Sequence, residues 1–329
     1  MEAPETSGTY LASLRADATY LAKDYIRTSD GAVWAVVAPR TESERVRCFL
    51  RYVPTSGDSG LEKVNSHQAN LWVETHRREW LFHSRQFDAV CHGIPVQQIA
   101  DHIRPQTLNE VVWGPQLSKP HLPSSTALRK VAEALLPSNV QVHLTGSWLL
   151  GLAGKKSDFD LVVYGQDEFR RLVGWVEESL KADGLEPLTD SQWQDTYDRR
   201  GCDLDFPSYL WHERRKSNKA CVEGHRIDLS CVDVWPDIAC LPGTKIGKRR
   251  FTARVIAAHQ SHAVPAVYHV DNESIPWVVS FTPTYVSQAR AGELIEVSGW
   301  EETIALSKRL VVGTSREASG EFIRVCSDS

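Results

Sequence analysis

The sequence predicts an α+β chain in three parts, and three observations predict it. Between Ser124 and Trp235, helix-like and strand-like segments follow the order helix, strand, helix, strand, helices, strand, as expected of a compact core in which helices cover a mixed sheet. Beyond Trp235 the pattern changes to six short apolar runs separated by turns, which reads as a small barrel or sandwich. Ahead of the core, Gly114 to Ser124 (GPQLSKPHLPS) is polar and proline-bearing and reads as a linker. The expected divisions are an N-terminal α+β module over residues 1–115, a core over 124–235 and a C-terminal β module over 240–329.

In the N-terminal part, Tyr10 to Ile26 suits a helix, and Ala32 to Val37 with Val46 to Val53 suit a hairpin. Gln68 to Trp80 reads as a helix, Phe87 to Cys91 as a strand, and Val96 to Ile103 as a short helix stopped by Pro105. The module shows no catalytic constellation, and His83, His92 and His102 read as surface or core histidines. In the core, Ser124 or Ser125 caps a helix over Thr126 to Leu136 that Pro137 ends, and Val140 to Leu144 alternates as a strand. Gln166 to Ala182 places Phe169, Leu172, Val173, Val176 and Leu180 at helical spacing, with Gly184 as its C-terminal cap. The run HRIDLSCVDV alternates as a strand, with Ile227, Leu229 and Cys231 on one face and Asp228 and Ser230 on the other. The C-terminal runs are Phe251 to Ala257, Val264 to Val270, Pro276 to Phe281, Glu293 to Val297, Lys308 to Val312 and Glu321 to Val325.

The richest stretch for chemistry is LTGSWLLGLAGKKSDFDLVVYG, Leu144 to Gly165. A strand runs into Gly146-Ser147 and a short apolar segment that starts a helix, a junction that leaves free backbone N–H groups suited to phosphate. Gly146 lets a phosphate approach the backbone closely, the Ser147 hydroxyl can donate to a phosphate oxygen, and Lys155 and Lys156 can shield its charge. Asp158 and Asp160 follow at the head of an apolar run. On a strand they share one face, while Phe159, Leu161 and Val163 turn to a core. Paired carboxylates are hard oxygen ligands for divalent cations, and two such ions clamp the attacking and leaving oxygens of a displacement at phosphorus. Arg214, Arg215 and Lys219, in WHERRKSNKACVEGHR, form a basic cluster able to grip a triphosphate.

An apolar strand, Gly-Ser, then Asp-x-Asp on a second strand resembles the DNA polymerase β-type nucleotidyltransferase superfamily. The resemblance implies a polymerase β-like core, NTP as substrate, Mg2+ or Mn2+ as cofactor, and a third carboxylate on a later strand. Asp228 is the candidate for that position, and Asp203 with Asp205 form a rival pair read as a loop entering a helix. It implies that Asp158, Asp160 and Asp228 hold metal and act in catalysis while Gly146, Ser147 and the nearby lysines and arginines bind the nucleotide. Feature order along the whole chain, with SFTPTYVSQARAGELIEVSGW and RLVVGTSREASGEFI in the tail, is also similar to uncharacterised archaeal and bacterial predicted nucleotidyltransferases with flanking modules.

The implied reaction is transfer of an NMP from an NTP to an acceptor hydroxyl with release of pyrophosphate, the acceptor being an RNA 3′ end or a small molecule. The alternative is a non-catalytic nucleic-acid or partner-binding protein on the same fold. For the C-terminal module an OB-like barrel is expected, a fold that binds single strands by stacking. Trp277, Phe281, Tyr285 and Trp300 are candidate rings, and Lys245, Lys248, Arg249, Arg250 and Arg254 form a basic rim.

Composition narrows the classes. A net charge of −5 over 329 residues argues against indiscriminate nucleic-acid binding, though not against a local basic surface. No apolar run is long enough to span a membrane, and the first residues do not form a secretory signal. The 7 cysteines are scattered with no Cys-x-x-Cys, as in a reduced, cytoplasmic protein.

Overall fold

Alternating apolar residues at Ile26, Trp34, Val36, Val46, Cys48 and Leu50 dictate a half-buried sheet in the first part of the chain. A computed structural model describes residues 7–55, 60–114, 126–154, 157–182, 184–305, 307–315 and 318–326. The expected caps Ser124 and Ser125 and most of the expected linker lie outside the described residues. The chain divides into two units, one of residues 1–84 with 90–163 and one of 85–89 with 164–329.

The first unit opens with α1 (Ser7–Asp17), β1 (Tyr25–Thr28), β2 (Val33–Val36), β3 (Arg45–Pro54), β4 (Leu61–Lys63), α2 (Ser66–His76), β5 (Leu81–Ser84), β6 (Ala89–Pro95) and β7 (Ile99–Ile103). Their sheet runs β5-β6-β3-β2-β1-β7, with β4 beside β3. Trp34 is fully buried at its centre, with Trp72, Trp80 and His92 edge-on around it at 6.2, 5.5 and 5.9 Å. Asn65 and Gln68 form a capping box that starts α2.

Two expectations fail here. The helix expected over Tyr10 to Ile26 stops at Asp17, because Asp24 is buried and ties the turn, taking Arg15 at 2.5 and 2.7 Å, His102 Nε2 at 2.8 Å and the Leu21 N–H at 2.9 Å. Tyr25 and Ile26 then pair with Ala35 and Trp34. The helix expected over Val96 to Ile103 is one tight turn followed by β7, which covers the open edge of β1.

The same unit continues with β8 (Gln106–Thr107), α3 (Leu108–Trp113), α4 (Thr126–Leu135), β9 (His143–Leu144), α5 (Gly146–Leu149) and β10 (Phe159–Tyr164). β9 lies antiparallel to both β8 and β10, and the strand expected from Val140 is only its last two residues. From Leu161 onward β10 is buried on both faces, so its carboxylates sit at its entry.

The second unit holds α6 (Gln166–Lys181), α7 (Asp190–Arg200), α8 (Phe206–Arg214), the antiparallel pair β11 (Lys219–Val222) and β12 (His225–Val232), and α9 (Asp237–Cys240). Then come β13 (Thr244–Ala257), β14 (Ala266–Val270), β15 (Trp277–Ser280), β16 (Leu294–Ile304), β17 (Ser307–Val312) and β18 (Phe322–Val325). β13 pairs β14, β14 pairs β15, β15 pairs β17 in parallel, β17 pairs β16, and β16 returns to β13. Five strands thus close into a barrel, with β18 attached to β16. Closure removes the open edges that short strands would otherwise expose. Tyr268, Val278, Val297, Leu310 and Val312 fill its core, joined by Leu204 and Tyr209 from the α8 region.

The outer face of β14 and β15 is covered from within the unit. Ala239 of α9 packs with Val267 and Val279, flanked by Ile238, Trp277 and Phe281. Arg309 pins this segment, donating to the Ile238 carbonyl at 2.5 Å and to Glu302 at 2.8 Å. Among the described residues, no helix is long and apolar enough to cross a membrane.

Candidate active site

β10 begins where the sequence turns from polar loop to apolar strand, and Asp158 and Asp160 straddle Phe159 at that point. Phe159 is fully buried and stacks on Trp148 at 4.4 Å, while both aspartates are half-buried. The Trp148 indole N–H reaches the Ser157 carbonyl at 3.4 Å, so α5 is fastened to the strand from both sides. Removing the ring as Trp148→Ala is expected to cost about 3–5 kcal/mol, measured by urea unfolding. It would also loosen Gly146 and Ser147, which share its single turn.

Gly146 is set by what lies opposite it. Its φ is +70°, and a Cβ built there would stand 2.1 Å from Asp160 Oδ2 and 2.8 Å from both Cβ and Cγ of Asp160. The backbone on either side is fixed: the Thr145 N–H donates to the Asp160 carbonyl at 3.0 Å, and Thr145 Oγ1 donates to the Lys23 carbonyl at 2.8 Å. Ser147 is half-buried on the next position of the turn. α5 has only four residues, so any phosphate contact rests on these local N–H groups and not on a long helix dipole. Lys155 and Lys156 lie outside the described residues. Gly146, Ser147, Asp158 and Asp160 are therefore brought together within one unit.

The donor set suits a hard cation. Among the described residues no three His, Cys, Asp or Glu side chains gather closely enough to cage a metal. Mg2+ rarely uses such a cage. It is held by one or two carboxylates and completes its shell with water and substrate phosphates, a donor set that Asp158 and Asp160 match in kind and number.

In the second unit Asp228 is half-buried on β12, between buried Ile227 and Leu229, as the alternation requires. Its in-register partner on β11 is Lys219. The rival pair is engaged otherwise. Asp205 caps α8, accepting from the Ser208 N–H at 2.8 Å, and that bond holds its carboxyl below the usual range. Asp203 accepts from the Gly320 N–H. Asp233 caps α6, accepting from the Gln166 N–H at 2.9 Å.

The basic cluster is also engaged. Arg214 is exposed and bonds Asp190 at 2.7 Å; Arg215 pairs with Glu293 and lies 4.3 Å over the Trp211 ring. Lys219 is buried and donates to Glu213 at 2.7 Å, beside Lys216 at 2.5 Å, which also donates to the Thr284 carbonyl at 2.7 Å. Burial pushes the Glu213 carboxyl up, but the two ammonium groups prevail and hold it well below its ordinary value. Glu213→Gln would leave two buried ammonium groups without their anion. The expected loss is about 3–5 kcal/mol of unfolding free energy, read from the urea midpoint of the full chain; an unchanged midpoint would refute this pairing as structural.

The barrel's basic rim is engaged within the unit, two of its five cations by carboxylates and three by carbonyls. Arg249 and Lys308 pair with Glu301 at 2.6 and 2.7 Å, and Arg250 pairs with Glu296 at 2.6 Å. Lys245 donates to the Asp88 carbonyl, Lys248 to the Ser319 carbonyl and Arg254 to the Gly292 carbonyl. Tyr285 is buried with its hydroxyl on the Glu321 carbonyl, and Phe281 packs against Phe87 and Trp235. Trp277 stacks on His269. Trp300 is half-buried, with Lys245 and Lys248 at 5.6 and 5.8 Å from its ring. Of the four rings proposed for stacking, three are thus packed within the unit.

Comparison with known proteins identifies the domain in which these residues lie. Residues 126–223 match the model of a family described as a nucleotidyltransferase domain, a span that contains Gly146, Ser147, Asp158 and Asp160 and ends just short of Asp228. The chain is also similar to the uncharacterized protein MJ1086 of Methanocaldococcus jannaschii, 30% identical over 335 residues that cover 92% of this chain and 98% of that one. It belongs to the family of that archaeal protein and carries a nucleotidyltransferase domain. No solved structure matches it.

Proposed function

We propose that this chain is a metal-dependent nucleotidyltransferase with a polymerase β-like core over 124–235, moving an NMP from an NTP to an acceptor hydroxyl. The observation that carries the reading is the fit of Gly146 against Asp160. A residue without a Cβ faces a carboxylate where a Cβ would stand 2.1 Å from its oxygen. The glycine brings the backbone N–H groups of the Gly146-Ser147 turn up against Asp160, as a phosphate site beside a metal-binding carboxylate requires.

In this reading Gly146 and Ser147 receive the triphosphate, and Asp158 and Asp160 hold a divalent cation against it. Such an ion supplies charge neutralisation at the phosphates and polarisation of their oxygens. The family resemblance gives Asp228 the part of the third carboxylate, which takes the proton of the attacking hydroxyl. The acceptor oxygen bonds to the α-phosphorus, the bond from that phosphorus to the bridging oxygen breaks, and pyrophosphate leaves. Positioning and charge supply most of the acceleration, as in phosphoryl transfer generally. The engaged rim and packed rings of the barrel favour a small-molecule hydroxyl over an RNA 3′ end as acceptor.

The test is thermal unfolding with each NTP in the presence of Mg2+ or Mn2+. Nucleotide at a hundred times its Kd is expected to stabilise the wild-type protein by about 2.7 kcal/mol, an effect lost in Asp158→Asn. Equal melting with and without nucleotide and metal would overturn the reading and leave a binding protein on a transferase fold.

A further inference from the structure

The N-terminal sheet comes close to the carboxylate pair. Thr145, one residue before Gly146, bonds both the Asp160 carbonyl and the carbonyl of Lys23, which leads directly into β1. β1 then places Ile26 in the sheet core and leaves Tyr25 half-buried on the other side. Across the sheet, Val33 pairs with Tyr52 but Trp34 pairs with Leu50, so Arg51 is the extra residue of a β-bulge. Leu50 and Val53 both enter the core, a spacing of three that only a bulge permits in a strand. Arg51 itself stays half-buried and forms no ion pair with a described Asp or Glu. Bulges re-aim side chains and are frequent next to active sites.

Electrostatics agrees with the geometry. The Tyr25 and Tyr52 phenols are both raised, chiefly by burial; on each of them Asp160 pushes up and Arg51 pushes down. Asp160, Arg51 and the two tyrosines therefore share one neighbourhood.

We propose that Arg51, turned out of the ladder by the β3 bulge, is a triphosphate-binding residue of the site formed by Gly146, Asp158 and Asp160. This rests on the nucleotidyltransferase reading. A guanidinium is always charged and offers a planar fork of donors to phosphate oxygens. Its positive charge and fork of donors are matched by the oxygens of a nucleoside triphosphate rather than by a neutral acceptor. The N-terminal module would then complete the nucleotide site.

Equilibrium binding of a non-hydrolysable NTP with Mg2+ tests this in the full chain, on Arg51→Gln, Arg51→Lys and Asp160→Asn beside wild type, with melting in the absence of nucleotide as the folding control. The expected result is a roughly 10- to 100-fold weaker Kd for Arg51→Gln, partial recovery in Arg51→Lys, and an unchanged melting temperature without nucleotide. Wild-type affinity in Arg51→Gln with loss of binding in Asp160→Asn would overturn the proposal and leave the transferase reading standing. Wild-type behaviour in both variants would overturn the transferase reading as well. If Arg51→Gln melts early, Arg51→Lys decides: a folded Lys variant with weakened NTP binding supports the proposal, and one with full affinity refutes the need for the guanidinium fork.

Discussion

Gly146→Ala is expected to reduce nucleotidyl transfer by on the order of 100-fold or more while leaving the chain folded. Two effects combine at this position. With φ at +70°, any L side chain is strained, which costs roughly 1–2 kcal/mol. The larger effect is steric. The added methyl would stand 2.1 Å from Oδ2 and 2.8 Å from both Cβ and Cγ of Asp160, so the whole carboxylate side chain must move. The Asp160 backbone cannot yield easily, because its carbonyl is held by Thr145 in the β9–β10 ladder. A displacement of an ångström in a group that positions charge is enough for a loss of this size. Melting and metal-dependent NTP binding of the variant, measured together, check it. A variant that binds NTP with Mg2+ as well as wild type would show that the Asp160 carboxylate does not serve the nucleotide site.

The second large effect is loss of stability on mild acidification. Burial lowers His92, His143, His212 and His262 each to about 4. His212 shows why the neutral ring is required. Its Nδ1 donates to the Ser208 carbonyl at 2.7 Å and its Nε2 accepts the Val325 N–H at 3.0 Å, so a second ring proton would oppose that N–H and release β18 from α8. The unfolded chain takes up protons at these four histidines near pH 6.5, and the folded chain does so at them only near pH 4. Between these values the unfolded state binds more protons, so the stabilisation is complete above pH 6.5 and falls as pH drops toward 4. Each buried histidine contributes on the order of 1–3 kcal/mol to that fall. Urea midpoints from pH 7.5 to 4.5 should decline throughout the lower half of this range, and His212→Gln should flatten the decline. A flat profile down to pH 5 would contradict the neutral buried rings.

Much of this molecule was legible in its residues because the relevant signals are local. Gly146-Ser147, the parity of Asp158 and Asp160, the apolar stripe of α6 and the alternation of β12 each depend on neighbours a few positions away. The barrel strands were found by their apolar halves, but β13 extends back to Thr244 through Lys245 to Arg250, which show no apolar alternation. That half is a strand because β16 pairs with it from Thr303 onward, and its charges are matched by Glu296 and Glu301 across the ladder. Such matches depend on register between distant segments, so the run of lysine and arginine did not show that Arg249 and Arg250 meet glutamates of β16. The same limit hid Arg51. A bulge is defined by the partner strand, and the tie from Thr145 to Lys23 joins segments far apart in the chain.

A transfer assay tests the nucleotidyltransferase assignment most directly. Each α-labelled NTP is incubated with Mg2+ or Mn2+ and separate pools of RNA, DNA and small-metabolite extract, with wild type beside Asp158→Asn/Asp160→Asn and with pyrophosphate followed in the same tubes. The predicted result is label moving onto the small-molecule pool with stoichiometric pyrophosphate, abolished in the double variant. Label transfer of equal size in the double variant, or no NTP- and metal-dependent response of any kind in wild type, would contradict the assignment of this site.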